Sequence, residues 1–137
     1  MFLICKVNLL IIKNKPMKDK IVIVDDKSAI AKIVSIYLSK DYDFIYFEDP
    51  LKAISWLNLG NLPDLIISDL RMPRMDGFEF VKYLKENDLF KKIPVIILSA
   101  ENNSGMKVKL MEIGCDDYIV KPFNPLELKV RIQRILP

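Results

Sequence analysis

Five short runs of β-branched and aliphatic residues punctuate the chain: IVIV at 21–24, FIYF at 44–47, LIIS at 65–68, VIIL at 95–98 and YIV at 118–120. Four of them are almost continuously apolar, the pattern of strands covered on both faces, as in a parallel sheet sandwiched by helices. Between the runs the apolar spacing becomes helical. Ile30, Ile33, Val34, Tyr37 and Leu38 fall at i, i+3, i+4, i+7 and i+8, and Phe78, Val81 and Leu84 form a narrower stripe. Residues 51–59, the set Met106, Leu110 and Ile113, and the set Leu128, Ile132, Ile135 and Leu136 complete the series. Pro125 suits the first turn of the last helix.

A strand-helix unit repeated five times predicts an α/β, doubly wound parallel sheet with right-handed crossovers and helices on both faces. In such sheets the functional crevice lies beyond the carboxyl ends of the strands. The residues at those ends are Asp25 and Asp26, Asp69, Ser99 and Lys121. Three converging carboxylates repel one another and are costly to bury unpaired, so a hard cation is the natural compensation, and oxygen ligands with partial solvation favour Mg2+. With a phosphoryl group in the crevice, the ammonium of Lys121 would pair with its oxygens and Ser99 would donate a hydrogen bond. One carboxylate, Asp69, could then attack phosphorus in line and form an acyl phosphate.

Composition narrows the chemistry. The 137 residues are 51% apolar and 28% charged, which suits one globular domain. Of the net charge of +3, residues 1–20 carry five lysines against one aspartate, so the remainder is nearly neutral and offers no broad basic stripe. Direct nucleic-acid contact by this chain is therefore not expected. The chain has no histidine, and its two cysteines, Cys5 and Cys115, are far apart. Zinc sites, disulfide frameworks and His-based nucleophile arrangements drop out, leaving carboxylates, hydroxyls and lysine.

Residues 1–16 hold an apolar run, Phe2 to Ile12, interrupted by Lys6 and Asn8 and too short to span a bilayer. No small-residue cleavage site follows it, and Met17 opens MKDKIVIVDD just before the first strand. Residues 1–16 are read as an N-terminal extension outside the fold, with residues 17–137 as the domain, and a cytoplasmic, membrane-free location is expected.

The segments IVIVDD, DLIISDLRMPRMDG, VIILSA and DYIVKPF, in this order and spacing, resemble the receiver domain of two-component response regulators from about Met17 to Leu136. The resemblance implies a flavodoxin-like sheet of strand order 2-1-3-4-5 with five helices. It implies a phosphoacceptor at Asp69 fed by a sensor histidine kinase, and Mg2+ held by Asp26, Asp69, Asp25 directly or through water, and the backbone carbonyl of Arg71. Ser99 and Lys121 would contact the phosphoryl oxygens, helped by the backbone N–H of Ala100. Tyr118 would be an aromatic switch that turns inward as Ser99 moves, and the Lys121–Pro122 peptide would be cis. Arg71 and Glu101 sit where the family tunes hydrolysis, and a pair between them would hinder water. The C-terminal third resembles receivers coupled to winged-helix DNA-binding domains, which implies a homodimer through the fourth helix, fifth strand and fifth helix. Asp117, Glu127 and Arg131 would make intersubunit ion pairs there, with Lys107 or Lys109 facing Glu127.

Simpler readings compete at single positions. Asp26 could be an N-cap, Asp69 a polar strand stop and Lys121 a solvated lysine before proline. Asp76 and Gly77 read as cap and turn of the third helix, Trp56 as packing, and Met106 and Met111 as core or interface filler. Among functions, a phosphorylatable switch that catalyses only its own phosphorylation and dephosphorylation stands against a pseudo-receiver, a binding module that is never phosphorylated. A magnesium-dependent aspartyl hydrolase would usually carry an acidic residue where this chain has Arg71.

Overall fold

Residues 17–137 are described by a computed structural model, and the expected extension 1–16, with Cys5, lies outside them. The five apolar runs form strands β1 (Asp19–Val24), β2 (Tyr42–Phe47), β3 (Leu65–Asp69), β4 (Val95–Ser99) and β5 (Asp117–Val120). They alternate with helices α1 (Ala29–Leu38), α2 (Pro50–Asn58), α3 (Gly77–Glu86), α4 (Ser104–Glu112) and α5 (Pro125–Ile135). All strand pairs are parallel, and the order is β2-β1-β3-β4-β5, as the resemblance implied.

The strand period of two sorts the core into two layers. Val22, Val24, Ile66, Val95 and Ile97 face α2, α3 and α4, meeting Ala53, Leu57, Phe80, Val81, Leu84 and Leu110. Ile21, Ile23, Leu65, Ile67, Ile96 and Leu98 face α1 and α5, meeting Ala31, Val34, Leu38, Leu128 and Ile132. Burial of each of the Val, Ile, Leu and Phe side chains among them contributes roughly 1.5–3 kcal/mol. Trp56 packs beside Phe47, ring centroids 5.6 Å apart, as filler of the first layer.

Helix starts follow their capping residues. The Asp49 side chain accepts the Leu51 N–H ahead of Pro50 at the start of α2, and Asn103 and Asn124 cap α4 and α5. Asp76 and Glu79 form a reciprocal capping box on α3, as expected of Asp76.

Two helical faces differ from the periodic reading. On α1 the buried residues are Ala31, Val34 and Leu38, while Ile33 is 40% and Tyr37 57% exposed. The buried stripe runs Ala31, Val34 and Leu38, at i, i+3 and i+7, and Ile33 and Tyr37 fall on its flank. On α3 the fully buried Phe80 joins Val81 and Leu84, and Phe78 packs only partly. Met111 is exposed rather than core, while Met106 is half-buried.

Candidate phosphoacceptor and metal site

The parallel register brings the strand ends level. Val24 pairs with Ser68, Asp69 with Leu98, and Ser99 with Val120, so the residues ending or following β1, β3, β4 and β5 gather at one crevice. Asp25 and Asp26 enter from the β1–α1 loop, Asp69 and Ser99 from the last positions of β3 and β4, and Lys121 from just after β5. The crevice has a volume of about 310 Å³ and is bordered by Asp26, Asp69, Arg71, Ser99, Glu101 and Lys121. Lys27 also lines it, a residue whose only sequence signal was its place after the acidic pair.

One carboxylate oxygen from each of Asp25, Asp26 and Asp69 lies within 4.8 Å of the other two. The Lys121 ammonium stands 3.4 Å from Asp25 Oδ2 and 3.5 Å from Asp69 Oδ1. Three carboxylates and one ammonium leave two formal negative charges, which one divalent cation would cancel. The donor set, hard oxygens from three side chains, matches a hard cation.

Asp25 is 3% exposed, and burial pushes its carboxyl above the ordinary value. The Lys27 N–H and the Lys121 ammonium oppose that shift, while the Asp69 carboxylate adds to it. Lys27 N–H donates to Asp25 Oδ1 at 2.9 Å, and Leu70 N–H donates to Asp69 Oδ1 at 2.8 Å. Each carboxylate is thus oriented by a backbone N–H, with Asp25 turning its other oxygen, Oδ2, to Lys121 and Asp69 sharing Oδ1 between Leu70 N–H and Lys121. Asp26 is exposed, and Ser28 rather than Asp26 occupies the N-cap position of α1 without a side-chain cap bond.

The opposite wall is tied together by Glu101. Its N–H donates to Ser99 Oγ at 3.0 Å, and its backbone carbonyl accepts the Tyr118 hydroxyl at 2.6 Å. Its carboxylate takes two hydrogen bonds from Arg71, at 2.8 and 3.0 Å. That bidentate bond holds Glu101 below and Arg71 above their ordinary pKa values. Tyr118 is buried with its ring turned inward, and the Lys121–Pro122 peptide is cis.

Gly77 has a tighter role than a turn. Its N–H donates to Leu70 O at 2.7 Å, and a Cβ there would overlap the Asp69 carbonyl oxygen and come within 2.8 Å of Leu70 Cα. Glycine therefore lets the start of α3 close onto the backbone of the candidate phosphoacceptor.

The residues expected at an intersubunit face lie away from the crevice, on β5 and α5. Within the chain they already pair with one another: Arg131 reaches Asp117 at 2.8 and 2.9 Å and Glu127 at 3.1 Å. The periodic reading missed the Arg74–Asp49 ion pair at 2.7 Å. The Asp-Pro pair at 49–50 was its one trace, as an N-cap signal.

The sequence description "response regulator receiver domain" matches residues 21–133. The chain belongs to this family. A receiver-containing relative, the probable transcriptional regulator ycf27 of Porphyridium aerugineum, is 39% identical over 121 residues, covering 87% of this chain and 48% of the relative. The phosphate regulon transcriptional regulatory protein PhoB of Escherichia coli is 36% identical, covering 88% and 52%. This receiver thus spans about half the length of those curated relatives. Among solved structures, the chemotaxis response regulator CheY4 of Vibrio cholerae matches with a TM-score of 0.79 at 33% identity, covering 87% of this receiver and 99% of that chain. The signal receiver domain of a histidine kinase from Syntrophus aciditrophicus matches at 0.78 and 34%, covering 86% and 89%. Among the described residues no helix of the receiver is long and apolar enough to cross a membrane.

Proposed function

We propose that this receiver accepts a phosphoryl group on Asp69 from the phosphohistidine of a sensor kinase, with Mg2+, and changes conformation to control an output. The observation that carries this is the approach of three carboxylates and one ammonium at a single sheet edge. Asp26, Asp69, Asp25 and the Arg71 carbonyl would hold the ion. Bound there, Mg2+ would neutralise phosphoryl oxygens and so lower the barrier to attack by an anionic nucleophile.

The protein's own part is positional. Asp69, oriented by the Leu70 N–H, forms an oxygen–phosphorus bond as the nitrogen–phosphorus bond of the donor breaks, and the donor imidazole keeps the electron pair. Lys121 pairs with a phosphoryl oxygen, and the Ser99 hydroxyl donates a hydrogen bond to another, with the Ala100 N–H beside it. Repositioning Ser99 would pull on Glu101 and hence on Tyr118, which shares it. The chemistry is confined to gain and loss of the protein's own phosphoryl group.

Residues 17–137 would constitute the receiver, working in the cytoplasm and, by its likeness to regulators such as PhoB, serving a DNA-binding partner domain rather than touching nucleic acid itself. A homodimer through α4, β5 and α5 would have to exchange the internal Arg131 pairs with Asp117 and Glu127 for intersubunit ones, with Lys107 or Lys109 facing Glu127.

Magnesium-dependent labelling by a small phosphodonor such as acetyl phosphate tests the reading. Wild type should be labelled, and Asp69→Asn or removal of Mg2+ should abolish the label. An unlabelled wild type beside a labelled control receiver would establish the pseudo-receiver instead.

A further inference from the structure

We propose that Arg74 and Asp49 form a clamp that positions the β3–α3 loop, and with it the Arg71 carbonyl and Asp26, for metal binding. The inference rests on the reading of the crevice as a metal site.

The starting observation is a backbone conformation. Arg74 has φ 70°, the one non-glycine residue with positive φ among the described residues. A side chain with a Cβ is sterically disfavoured there, and such positions persist where surrounding contacts demand them. Glycine or asparagine would meet the same turn at lower cost. What arginine adds is reach: its guanidinium donates to Asp49 Oδ2 at 2.7 Å.

Asp49 is built to receive it. The residue is buried at the end of the β2–α2 connection, and its other oxygen, Oδ1, accepts the Leu51 N–H at 2.9 Å to cap α2. One carboxylate thus joins the start of α2 to the tip of the β3–α3 loop. At its other flank the same loop is held by Arg71 on Glu101, and at its base by the Gly77 N–H on Leu70 O. The loop between β3 and α3 is therefore fastened on both sides.

Location connects the clamp to the ion. A cavity of about 240 Å³ lies under the loop tip, lined by Asp26, Glu48, Asp49, Lys52, Pro73 and Arg74. Asp26 borders both this cavity and the crevice. The clamp borders the open cleft beside Asp26 and ties the loop that carries Arg71 to the start of α2. Releasing it would widen the ligand geometry without removing any ligand. Arg74 touches no proposed ligand, so it is a positioning residue and not a catalytic one.

The test uses the full chain with Arg74→Asn, Arg74→Lys, Asp49→Asn and the Arg74→Asn/Asp49→Asn pair. Asparagine accepts positive φ at 74 and still caps α2 at 49, so both single changes spare the local fold. Three quantities are read: the Mg2+ dissociation constant by calorimetry, amide exchange of residues 70–76 without metal, and the urea midpoint. Arg74→Asn should leave the midpoint unchanged or higher, speed exchange in 70–76, and raise the Mg2+ dissociation constant about tenfold, the low end for residues that orient metal ligands. Asp49→Asn should match it, the pair should be no worse than either single change, and Arg74→Lys should recover part of the affinity. Wild-type exchange and affinity in Arg74→Asn would overturn the clamp, as would a loss explained by a lower midpoint and faster exchange everywhere. A wild type that binds no Mg2+ would overturn both the metal site and the clamp's role in it, whereas a metal-binding wild type with unchanged variants would overturn the clamp alone.

Discussion

The hydroxyl of Tyr118 donates to the backbone carbonyl of Glu101 at 2.6 Å, linking the fifth strand to the loop that carries the crevice wall. Since Glu101 also gives its N–H to Ser99 and its carboxylate to Arg71, one residue joins the aromatic ring, the hydroxyl and the β3–α3 loop. Tyr118→Phe keeps the buried ring and deletes this bond. It should cost about 1 kcal/mol in urea unfolding, the net value of one hydrogen bond, and speed amide exchange at Glu101. An unchanged Glu101 amide would show that the loop is held without the tyrosine.

The Arg71–Glu101 bridge spans the crevice mouth but is largely exposed, so its weight should fall on kinetics and not on stability. Phosphoryl loss from Asp69 in the Arg71→Ala/Glu101→Ala variant should accelerate severalfold while the urea midpoint stays at the wild-type value. Lifetimes equal to wild type in a phosphate-release assay would remove the bridge as a barrier to water.

Asp25 sets stability against its proposed role as a metal ligand. Its folded pKa is raised, so the folded state favours the proton: the stabilising effect is full below the ordinary carboxylate range and is lost as pH climbs through the raised value. Above the raised value and without metal, the charged Asp25 therefore weakens the fold. Asp25→Asn should raise stability in a chelator by about 1 kcal/mol, the scale of single stabilising substitutions. Wild type should gain about 2.7 kcal/mol from Mg2+ at a hundred times its dissociation constant, and the variant much less. Paired urea curves with and without Mg2+ measure both effects.

Gly77→Ala replaces a poor helix former by a good one at the first position of α3, so propensity alone forecasts stabilisation. The overlap with the Asp69 carbonyl forecasts the opposite, a loss of about 1–3 kcal/mol typical of overpacking, with weaker phosphorylation because the phosphoacceptor backbone must shift. Denaturant unfolding and labelling together separate the two forecasts.

Burial pushes the Cys115 thiol up to about 11, and its Sγ lies 3.0 Å from the carbonyl of Asp117. In the native protein at mildly alkaline pH the Cys115 peptide should resist iodoacetamide and become alkylated only as urea unfolds the chain, followed by mass spectrometry.

Much of this was legible in the chain because strand ends are marked by an abrupt change from apolar to polar, and the crevice residues sit at those changes. β1 and β2 start two residues before their apolar runs: Asp19 pairs with Tyr42 and Lys20 with Asp43, on a backbone ladder that needs no apolar side chain. The α1 face was misread in part because periodicity weighs large side chains, whereas the small Ala31 is buried and Ile33 and Tyr37 are not. The Arg74–Asp49 pair was invisible to local pattern, since 25 positions separate its partners and its cause is the folded proximity of two loops.

The ammonium and the carboxylate that meet as Lys121 and Asp25 are 96 positions apart in the chain. During synthesis the three aspartates emerge before the lysine that offsets them. A nascent chain ending short of β5 lacks the ammonium that pairs with Asp25 and Asp69, and β5 docks at the edge of the sheet beside β4. The crevice is thus complete only once β5 has docked, and its competence reports the assembly of β1, β3, β4 and β5, the four strands whose ends supply its residues.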